Sequence, residues 1–291
     1  MPELCLLEVH AHPDDESSKG AGTIARYHAE GVRTVLVTCT GGEEGEILNP
    51  AMDRPGVIER LQEIRFEELD RAVAIIGYDE LVLLGYRDSG MPGSPANTNP
   101  ASFAAAPLDD AVGRLVAVIR RTCPQVMVTY PREQAGYPHP DHLRVNEISE
   151  AAFDAAGDPS MYPDAGDPWQ PLKLYYVTWS ARRVIAMHEK YLELGLESPV
   201  TEERLARAVD SPDLTVIDVS GFNNVSREAL LAHETQVDPS SKFWFGLPPE
   251  VMDNLHPFEE YTLARDLTGR GPLEGVEDDL FAGIRASLES R

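Results

Sequence analysis

Segments typical of strands and segments typical of helices alternate through the first half of this chain, and no other feature limits its fold as strongly. Residues 4–12 (LCLLEVHAH) and 32–40 (VRTVLVTCT) are rich in Val, Leu and Thr, and residues 18–31 between them carry apolar residues at helical spacing. The pattern continues as helix, strand, helix, strand and helix at residues 57–76, 80–85, 108–121, 125–130 and 140–156. Strands separated by amphipathic helices predict right-handed βαβ units, hence an α/β fold with a parallel sheet and helices on both faces.

The second half of the chain follows a less regular pattern. Residues 173–180 and 214–220 predict strands, and residues 181–195 and 229–236 predict helices. The acidic segment 271–291 is expected to be solvated and partly frayed. A length of 291 residues permits one large domain or two, and we favour one.

Composition excludes several classes of protein. An apolar fraction of 42% and a charged fraction of 25% indicate an ordinary globular chain, not a disordered or fibrous one. The net charge of −24 would repel nucleic acid and anionic membranes, so neither is expected as a partner. The three cysteines are widely spaced, and the sequence has no signal-type segment and no run of about 18 apolar residues. A cytoplasmic protein with reduced thiols is therefore expected, and its oligomeric state stays open.

Polar segments follow the first four predicted strands. They are HAHPDDE (10–16), TCTGGEEGE (38–46), GYRDSG (85–90) and PREQAGYPHPDH (131–142). In an open parallel sheet, ligands bind beyond the carboxyl ends of the strands. The sequence therefore predicts a functional site at this edge.

Two of these segments have the spacing of metal ligands. His12 and Asp15 are three positions apart, as are His139 and His142, and such pairs share a side once the chain enters a helical turn. A single corner of this kind is more often a helix cap, but two corners at one sheet edge favour a metal. Two histidines and one carboxylate with open positions for water suit catalytic Zn²⁺, and Fe²⁺ is the alternative.

The motifs AHPDDE (11–16) and HPDH (139–142) together resemble the zinc-dependent N-acetylglucosamine deacetylase family, the LmbE-like or PIG-L group. The resemblance covers residues 4–266 and implies a Rossmann-like sheet with a less regular α+β C-terminal part. It implies a single hydrolase domain over residues 1–291. Within it, residues 1–156 would form the catalytic core, residues 157–270 would complete the substrate pocket, and residues 271–291 would be the acidic tail.

The resemblance implies a role for each residue of the two motifs. The zinc ligands that it implies are His12, Asp15 and His142. Asp14 resembles the general base, and His139 resembles the group that, when protonated, stabilises the oxyanion or serves as acid. Tyr137 resembles a further partner of the carbonyl oxygen, and Asp141 would tune His139. Amides resist water, so hydrolysis needs an activating metal, a base and donors that meet the developing charge.

The resemblance also selects His12 as the ligand where strand periodicity does not. His10 and His12 share one face of the first predicted strand, so alternation alone leaves either as the ligand. His10 is then expected to be structural or to support a ligand. Glu16 is expected to be a helix-start carboxylate with a hydrogen-bonding role.

The resemblance extends to two branches of the family, and these act on different substrates. One cleaves mycothiol S-conjugates at the amide between glucosaminyl-inositol and an S-modified N-acetylcysteine, and the other deacetylates N-acetylglucosaminyl-inositol. Residues 17–23 (SSKGAGT), 45–53 and 162–176 resemble the first branch, which favours a glucosaminyl-inositol thiol conjugate as substrate. The substrate contacts implied by the resemblance are Lys19, Arg65, Asp88, His233 and Gln236. Trp244 is interpreted first as a packing residue, and a wall for an apolar S-linked group is its alternative role.

Alternatives to this interpretation come from other classes. Without the resemblance, Arg65 is interpreted as a helix-surface charge and His233 as a structural histidine. Asp88 is equally well interpreted as a functional carboxylate or as a turn former. A sugar-binding relative without catalysis would be free to lose Asp14 or His139, yet both are present. A metal-dependent phosphodiesterase is disfavoured by the acidic composition and by the lack of an evident phosphate clamp.

Overall fold

The computed structural model describes residues 3–133, 137–210, 214–271 and 275–285. The strands in these ranges are β1 (Cys5–His10), β2 (Arg33–Thr40), β3 (Glu80–Tyr86), β4 (Val126–Thr129), β5 (Lys173–Thr178), β6 (Leu214–Asp218) and β7 (Phe258–Asp266). They form one sheet with the order β3-β2-β1-β4-β5-β7-β6. All pairs from β3 to β5 are parallel, and β7 runs antiparallel to both β5 and β6.

Helices cover both faces of this sheet. They are α1 (Asp15–Ser18), α2 (Ala21–Ala29), α3 (Leu61–Ile76), α4 (Leu108–Thr122), α5 (Pro140–Ala155), α6 (Ala181–Glu193), α7 (Glu202–Arg207), α8 (Asn223–Ala232), α9 (Lys242–Phe245) and α10 (Pro249–Leu255). Helices α2, α3 and α8 pack on one another, as do α4 and α5. Every residue of β1 is buried, as expected for a central parallel strand with both faces covered. Among the described residues, no helix is long and apolar enough to span a membrane.

The predicted α/β fold with a mostly parallel sheet is confirmed. β1 pairs with β2 on one side and with β4 on the other, so the order of the strands reverses between β1 and β4. Ligands of open α/β sheets bind at such a switch point, beyond the carboxyl ends of the strands. The segments that follow β1 and β4 are the two that contain the predicted metal ligands.

Strand β7 has no counterpart among the predicted elements. Its sequence, FEEYTLARD, mixes acidic and apolar residues. It lies in the second half of the chain, where strand and helix patterns do not alternate regularly. It becomes a strand because β5 and β6 supply partners on both sides. Pairing with segments that are distant in sequence makes this segment a strand, so its local pattern of residues does not predict the strand.

The expectation of a solvated C-terminal tail is wrong for residues 275–285. Three apolar side chains of this segment are buried in the main core: Leu280, Phe281 and Ile284. The carboxylate of Glu277 is also buried, and it accepts hydrogen bonds from Lys173 Nζ at 2.5 Å and from Tyr175 Oη at 2.8 Å. Residues 272–274 and 286–291, the remainder of the predicted tail after Gly271, lie outside the described residues.

Replacing Phe281 by Ala tests whether this segment belongs to the core. Phe281 is fully buried, and its ring packs edge-on against that of Tyr27 with the ring centroids 5.4 Å apart. Removing a buried phenyl ring leaves a cavity, so we expect a loss of about 3–5 kcal/mol in the free energy of unfolding, measured by urea denaturation. A loss below about 1 kcal/mol, the size expected of a surface substitution, would show that the segment is solvated.

Candidate active site

The corner after β1 places four polar residues in a tight turn. Asp14 has a φ of 106°, a left-handed conformation that is unusual for a residue with a side chain. Its backbone N–H donates to Glu16 Oε2 at 2.9 Å, and the N–H of His12 donates to Asp15 Oδ2 at 3.0 Å. These bonds fix the turn and direct Asp14 and Asp15 to different neighbours.

The second corner opens α5. His139 is the N-cap residue, and its Nδ1 accepts a hydrogen bond from the backbone N–H of Asp141 at 3.2 Å. Pro140 takes the first helical position, where a missing N–H costs nothing. His142 therefore lies in the first turn, buried together with Asp141, and faces the β1 corner.

The two corners bring His12, Asp15 and His142 together. Asp15 Oδ2 lies 3.4 Å from His12 Nδ1 and 3.4 Å from His142 Nε2, and all three side chains are buried. One donor atom from each lies within 4.8 Å of the others, so the three residues form a candidate metal-binding site. Burial would raise the pKa of Asp15, but Lys19 and His142 outweigh it and hold this pKa well below its usual value. Neutral imidazole and ionised carboxylate are the forms that bind a metal.

A carboxylate supports the outer nitrogen of the first histidine. His12 Nε2 lies 3.2 Å from Asp141 Oδ2 and 3.6 Å from Asp88 Oδ1. Asp141 in turn accepts hydrogen bonds from both the backbone N–H and the hydroxyl of Ser89. A carboxylate on the second nitrogen of a ligating histidine fixes its tautomer and orientation, so the donor set fits a metal on His12 Nδ1.

Asp141 therefore contacts two histidines, whereas the sequence pointed only to His139. Its charge raises the pKa of His139, but burial and the neighbouring His12 outweigh it and lower that pKa to about 4. Since Nδ1 of His139 accepts from a backbone N–H, the proton of the neutral ring resides on Nε2. The neutral ring can therefore donate a hydrogen bond from Nε2 without gaining a second proton.

Asp14 is paired with a buried arginine. Arg65 Nη2 donates to Asp14 Oδ2 at 2.9 Å and to the carbonyl of Pro13 at 2.5 Å, and Nη1 donates to the carbonyl of Gly42 at 2.6 Å. Arg65 is only 3% exposed, which excludes the reading as a surface charge. Burial raises the pKa of Asp14, although the charge of Arg65 opposes this shift. A carboxylate with a raised pKa is a better proton acceptor than an ordinary surface aspartate.

Lys19 and Tyr137 lie beside the metal-binding group. Lys19 Nζ is 2.6 Å from Asp15 Oδ1, the carboxylate oxygen that does not face the histidines. Tyr137 is 51% exposed, and its ring centroid lies 6.0 Å from that of His139 and 5.6 Å from that of His142. Both residues line the cavity that opens over the site.

This cavity has a volume of about 790 Å³, within the range of about 300–1,000 Å³ for small-molecule sites. It is lined by most of the predicted site residues, including Asp88, Arg65 and Gln236. His233 is not among the lining residues. It is fully buried, and its Nε2 lies 2.7 Å from Glu16 Oε1. The predicted helix 229–236 ends at Ala232, so His233 and Gln236 follow α8 instead of lying on it.

Two supporting residues were not identified from the sequence. Tyr130 stacks on the ring of His142, with the ring centroids 4.5 Å apart, and its hydroxyl lies 3.0 Å from His10 Nδ1. Ser89 holds Asp141, as described above. Tyr130 ends the strand-like run 125–130 and Ser89 adjoins Asp88, so position at a strand end was the signal available for both. His10 is buried beneath the site, consistent with the expected structural role.

Comparison with known proteins places the chain in a family. Residues 7–153 match the family described as PIG-L: GlcNAc-PI de-N-acetylase. The chain is 44% identical to the mycothiol S-conjugate amidase of Streptomyces coelicolor, an alignment that covers 97% of this chain and 98% of the relative. It is 40% identical to the 1D-myo-inositol 2-acetamido-2-deoxy-alpha-D-glucopyranoside deacetylase of Geodermatophilus obscurus, over 97% of this chain and 99% of the relative.

Solved structures agree in fold. The N,N'-diacetylchitobiose deacetylase of Pyrococcus horikoshii matches with a TM-score of 0.59 at 14% identity, covering 92% of this chain and 86% of that one. A conserved protein of Thermus thermophilus, TT1542, matches with a TM-score of 0.56 at 22% identity, covering 94% and 97%. The matches in sequence confirm the predicted amide-hydrolysing enzyme, and the chain belongs to the PIG-L family of de-N-acetylases.

Proposed function

We propose that this protein uses zinc to hydrolyse the amide of a glucosaminyl-inositol compound, with mycothiol S-conjugates as the preferred substrates. The carrying observation is that His12, Asp15 and His142 converge beside Asp14 on the wall of a 790 Å³ cavity. The 44% identity to a mycothiol S-conjugate amidase supports the choice of substrate. The products would be glucosaminyl-inositol and an N-acetylcysteine S-conjugate.

His12, Asp15 and His142 would hold the metal. When bound at such a site, zinc lowers the pKa of water and polarises the substrate carbonyl. Fe²⁺ is the alternative ion for two histidines and one carboxylate on one face. Asp141 would keep His12 in the tautomer with Nδ1 free to bind, because its carboxylate lies at Nε2.

Asp14 would serve as the general base. Its carboxylate lines the cavity next to Asp15, so it can remove a proton from the attacking water and deliver that proton to the leaving amine. Arg65 would hold one carboxylate oxygen at 2.9 Å and thereby orient the other. The left-handed φ of Asp14 supports this assignment, since strained backbone conformations cluster at active sites.

His139 and Tyr137 would stabilise the negative charge that develops on the carbonyl oxygen. Nε2 of His139 carries the proton in the neutral ring, and the side chain lines the cavity beside Tyr137. Hydrogen-bond donors that are fixed before the reaction lower the barrier because they need no reorganisation as charge develops. In this proposal His139 acts as a neutral donor, which differs from the protonated form that the resemblance implied.

Deacetylation of N-acetylglucosaminyl-inositol is the second candidate function. It is favoured by the 40% identity to a deacetylase over 97% of the chain. Both reactions break an amide on the same sugar nitrogen, so the proposed metal ligands and base would serve either. A comparison of the two substrates on one zinc-loaded preparation, with amine release followed by mass spectrometry, decides between them. Faster cleavage of an S-alkylated mycothiol supports the amidase, and the opposite ratio supports the deacetylase.

Replacing Lys19 by Ala is expected to raise the KM for an S-alkylated mycothiol about 10-fold or more, because a hydrogen bond from a charged group contributes about 1.5–3 kcal/mol. The KM for N-acetylglucosaminyl-inositol, which has no cysteinyl arm, should change less. An ammonium group has three N–H donors, so Lys19 can contact Asp15 and still meet a substrate carbonyl. The measurement is steady-state kinetics on both substrates.

Zinc content is the control for the Lys19 variant, because the lysine also contacts a proposed metal ligand. Equal losses on both substrates together with lost zinc would mean that Lys19 acts through Asp15 and not on the substrate. A small-molecule substrate, implied by the resemblance, and a cytoplasmic location, expected from the sequence, remain part of this proposal.

A further inference from the structure

Five apolar side chains line the cavity next to the proposed catalytic residues, and we call them the apolar lining: Leu48, Met91, Leu230, Val237 and Trp244. They come from the loops after β2 and β3, from α8, from the segment between α8 and α9, and from α9 itself, which contains Trp244. Leu48 is 56% exposed and Met91 is 49% exposed. Single exposed apolar residues are common, but several that share one cavity mark a binding surface.

The apolar lining is held in place by its own neighbours. The backbone N–H of Leu48 donates to the carbonyl of Thr235 at 2.9 Å, which ties the loop after β2 to the segment after α8. The ring of Trp244 packs edge-on against Phe243 and Trp179, at centroid distances of 4.8 and 6.0 Å. A surface that is already ordered loses little conformational freedom when a ligand binds, so these contacts favour binding.

The charged groups near the apolar lining are mainly acidic. Glu44, Glu46 and Asp88 line the same cavity, and Glu44 is paired with Arg87. The two cationic side chains of the lining, Lys19 and Arg65, are paired with Asp15 and Asp14. The chain as a whole carries a net charge of −24. A carboxylate brought into this part of the cavity would lose hydration and meet charges of its own sign.

We propose that the apolar lining binds the S-linked substituent of the conjugate and selects neutral, apolar substituents over anionic ones. This inference rests on the proposed function, because it assumes that thiol conjugates are substrates. An acetyl group has no substituent that could cover these side chains, whereas a benzyl or longer alkyl thioether would remove them from water. Each methylene group that is buried on binding should change kcat/KM by about 4-fold, so discrimination among conjugates should be measurable.

The competing explanation is that Trp244 stacks on the sugar. Both substrates carry the same sugar, so a sugar contact would affect all substrates alike. A contact with the S-linked group would affect only the conjugates that have a large apolar group. The two explanations therefore predict different effects of a Trp244 substitution on the ratio of the rates for conjugates with large and small S-linked groups.

The experiment measures kcat/KM for three conjugates with one head group, S-benzyl, S-methyl and S-carboxymethyl mycothiol, and for N-acetylglucosaminyl-inositol. We expect S-benzyl to exceed S-methyl by about 10-fold, and S-carboxymethyl to fall below S-methyl. Leu48→Ala and Trp244→Ala should each lower the benzyl-to-methyl ratio toward one. Leu192→Ala is the matched control, since Leu192 is 57% exposed on α6 and does not line the cavity. Trp244→Phe replaces Trp244→Ala if the alanine variant fails to fold.

Three outcomes would overturn the inference while leaving the proposed function intact. They are equal rates for the benzyl and methyl conjugates, a carboxymethyl conjugate cleaved as fast as the benzyl one, and Trp244 variants that slow every substrate equally. If the unaltered protein released amine from N-acetylglucosaminyl-inositol but from no conjugate, the preference for conjugates would itself be wrong. Failure of the inference and failure of the proposed function therefore give different results.

Discussion

Asp14→Asn is expected to lower the kcat of amide hydrolysis by about 10²–10⁴-fold, the usual contribution of a general base, while the protein keeps its metal. The amide of Asn cannot accept the proton that the carboxylate takes from water. The fold should tolerate the change, because Asn is one of the residues that adopt positive φ, and position 14 has a φ of 106°. Steady-state kinetics and metal analysis of the same sample are the measurements.

A neutralised surface carboxylate controls for the loss of charge in this variant. Asp70 is exposed on α3, the helix that also contains Arg65, so Asp70→Asn should leave kcat unchanged. If Asp14→Asn kept more than a tenth of the original kcat, another group would have to be the base. If the variant lost its metal as well, Asp14 would belong to the ligand set. A protein that only binds sugar would show no turnover before the substitution either.

His142→Ala is expected to abolish metal binding and, with it, activity. Loss of a group that only hydrogen-bonds a ligand weakens metal affinity by about 10–100-fold, and loss of a ligand itself should exceed this. His142 is one of only three donors in its cluster, at 3.4 Å from Asp15 Oδ2, so two donors would remain. Zinc content after dialysis and amine release from both substrates are the measurements.

A surface histidine provides the matched control for His142. His28 lies in the last turn of α2 with its side chain 45% exposed, so His28→Ala should leave zinc content and rates unchanged. Retention of a full equivalent of zinc by His142→Ala would move the metal away from the His12, Asp15 and His142 cluster. Loss of zinc from His28→Ala would show instead that the assay reports general instability.

The parallel half of the sheet and the meeting of the corners that contain His12, Asp15 and His142 could be predicted because each has a local signal. Helical and strand periodicities alternate through this region, and the topology of parallel strands brings their carboxyl ends to one edge. His12 and His142 are 130 positions apart in sequence, yet a rule about strand ends was sufficient to place them together. The structure brings both residues to within 3.4 Å of Asp15 Oδ2.

The elements that escaped prediction depend on contacts between distant segments. Strand β7 forms because β5 and β6 pair with it, and the C-terminal segment is buried because Phe281 meets Tyr27. Leu48 and Met91 lie in loops, where no period reveals which side chains face a cavity. The burial of Arg65 was hidden because a helix of mixed charge does not show which arginine points inward.

In the proposed function, this protein hydrolyses a glucosaminyl-inositol amide with a metal held by His12, Asp15 and His142. Mass spectrometry of the products from an S-alkylated mycothiol, with the zinc-loaded protein in ¹⁸O-labelled water, tests it most directly. We expect equal amounts of glucosaminyl-inositol and N-acetylcysteine S-conjugate, labelled oxygen in the new carboxylate, and loss of both products after chelation with recovery on zinc addition. Intact conjugate, together with intact N-acetylglucosaminyl-inositol in a parallel sample, would contradict it.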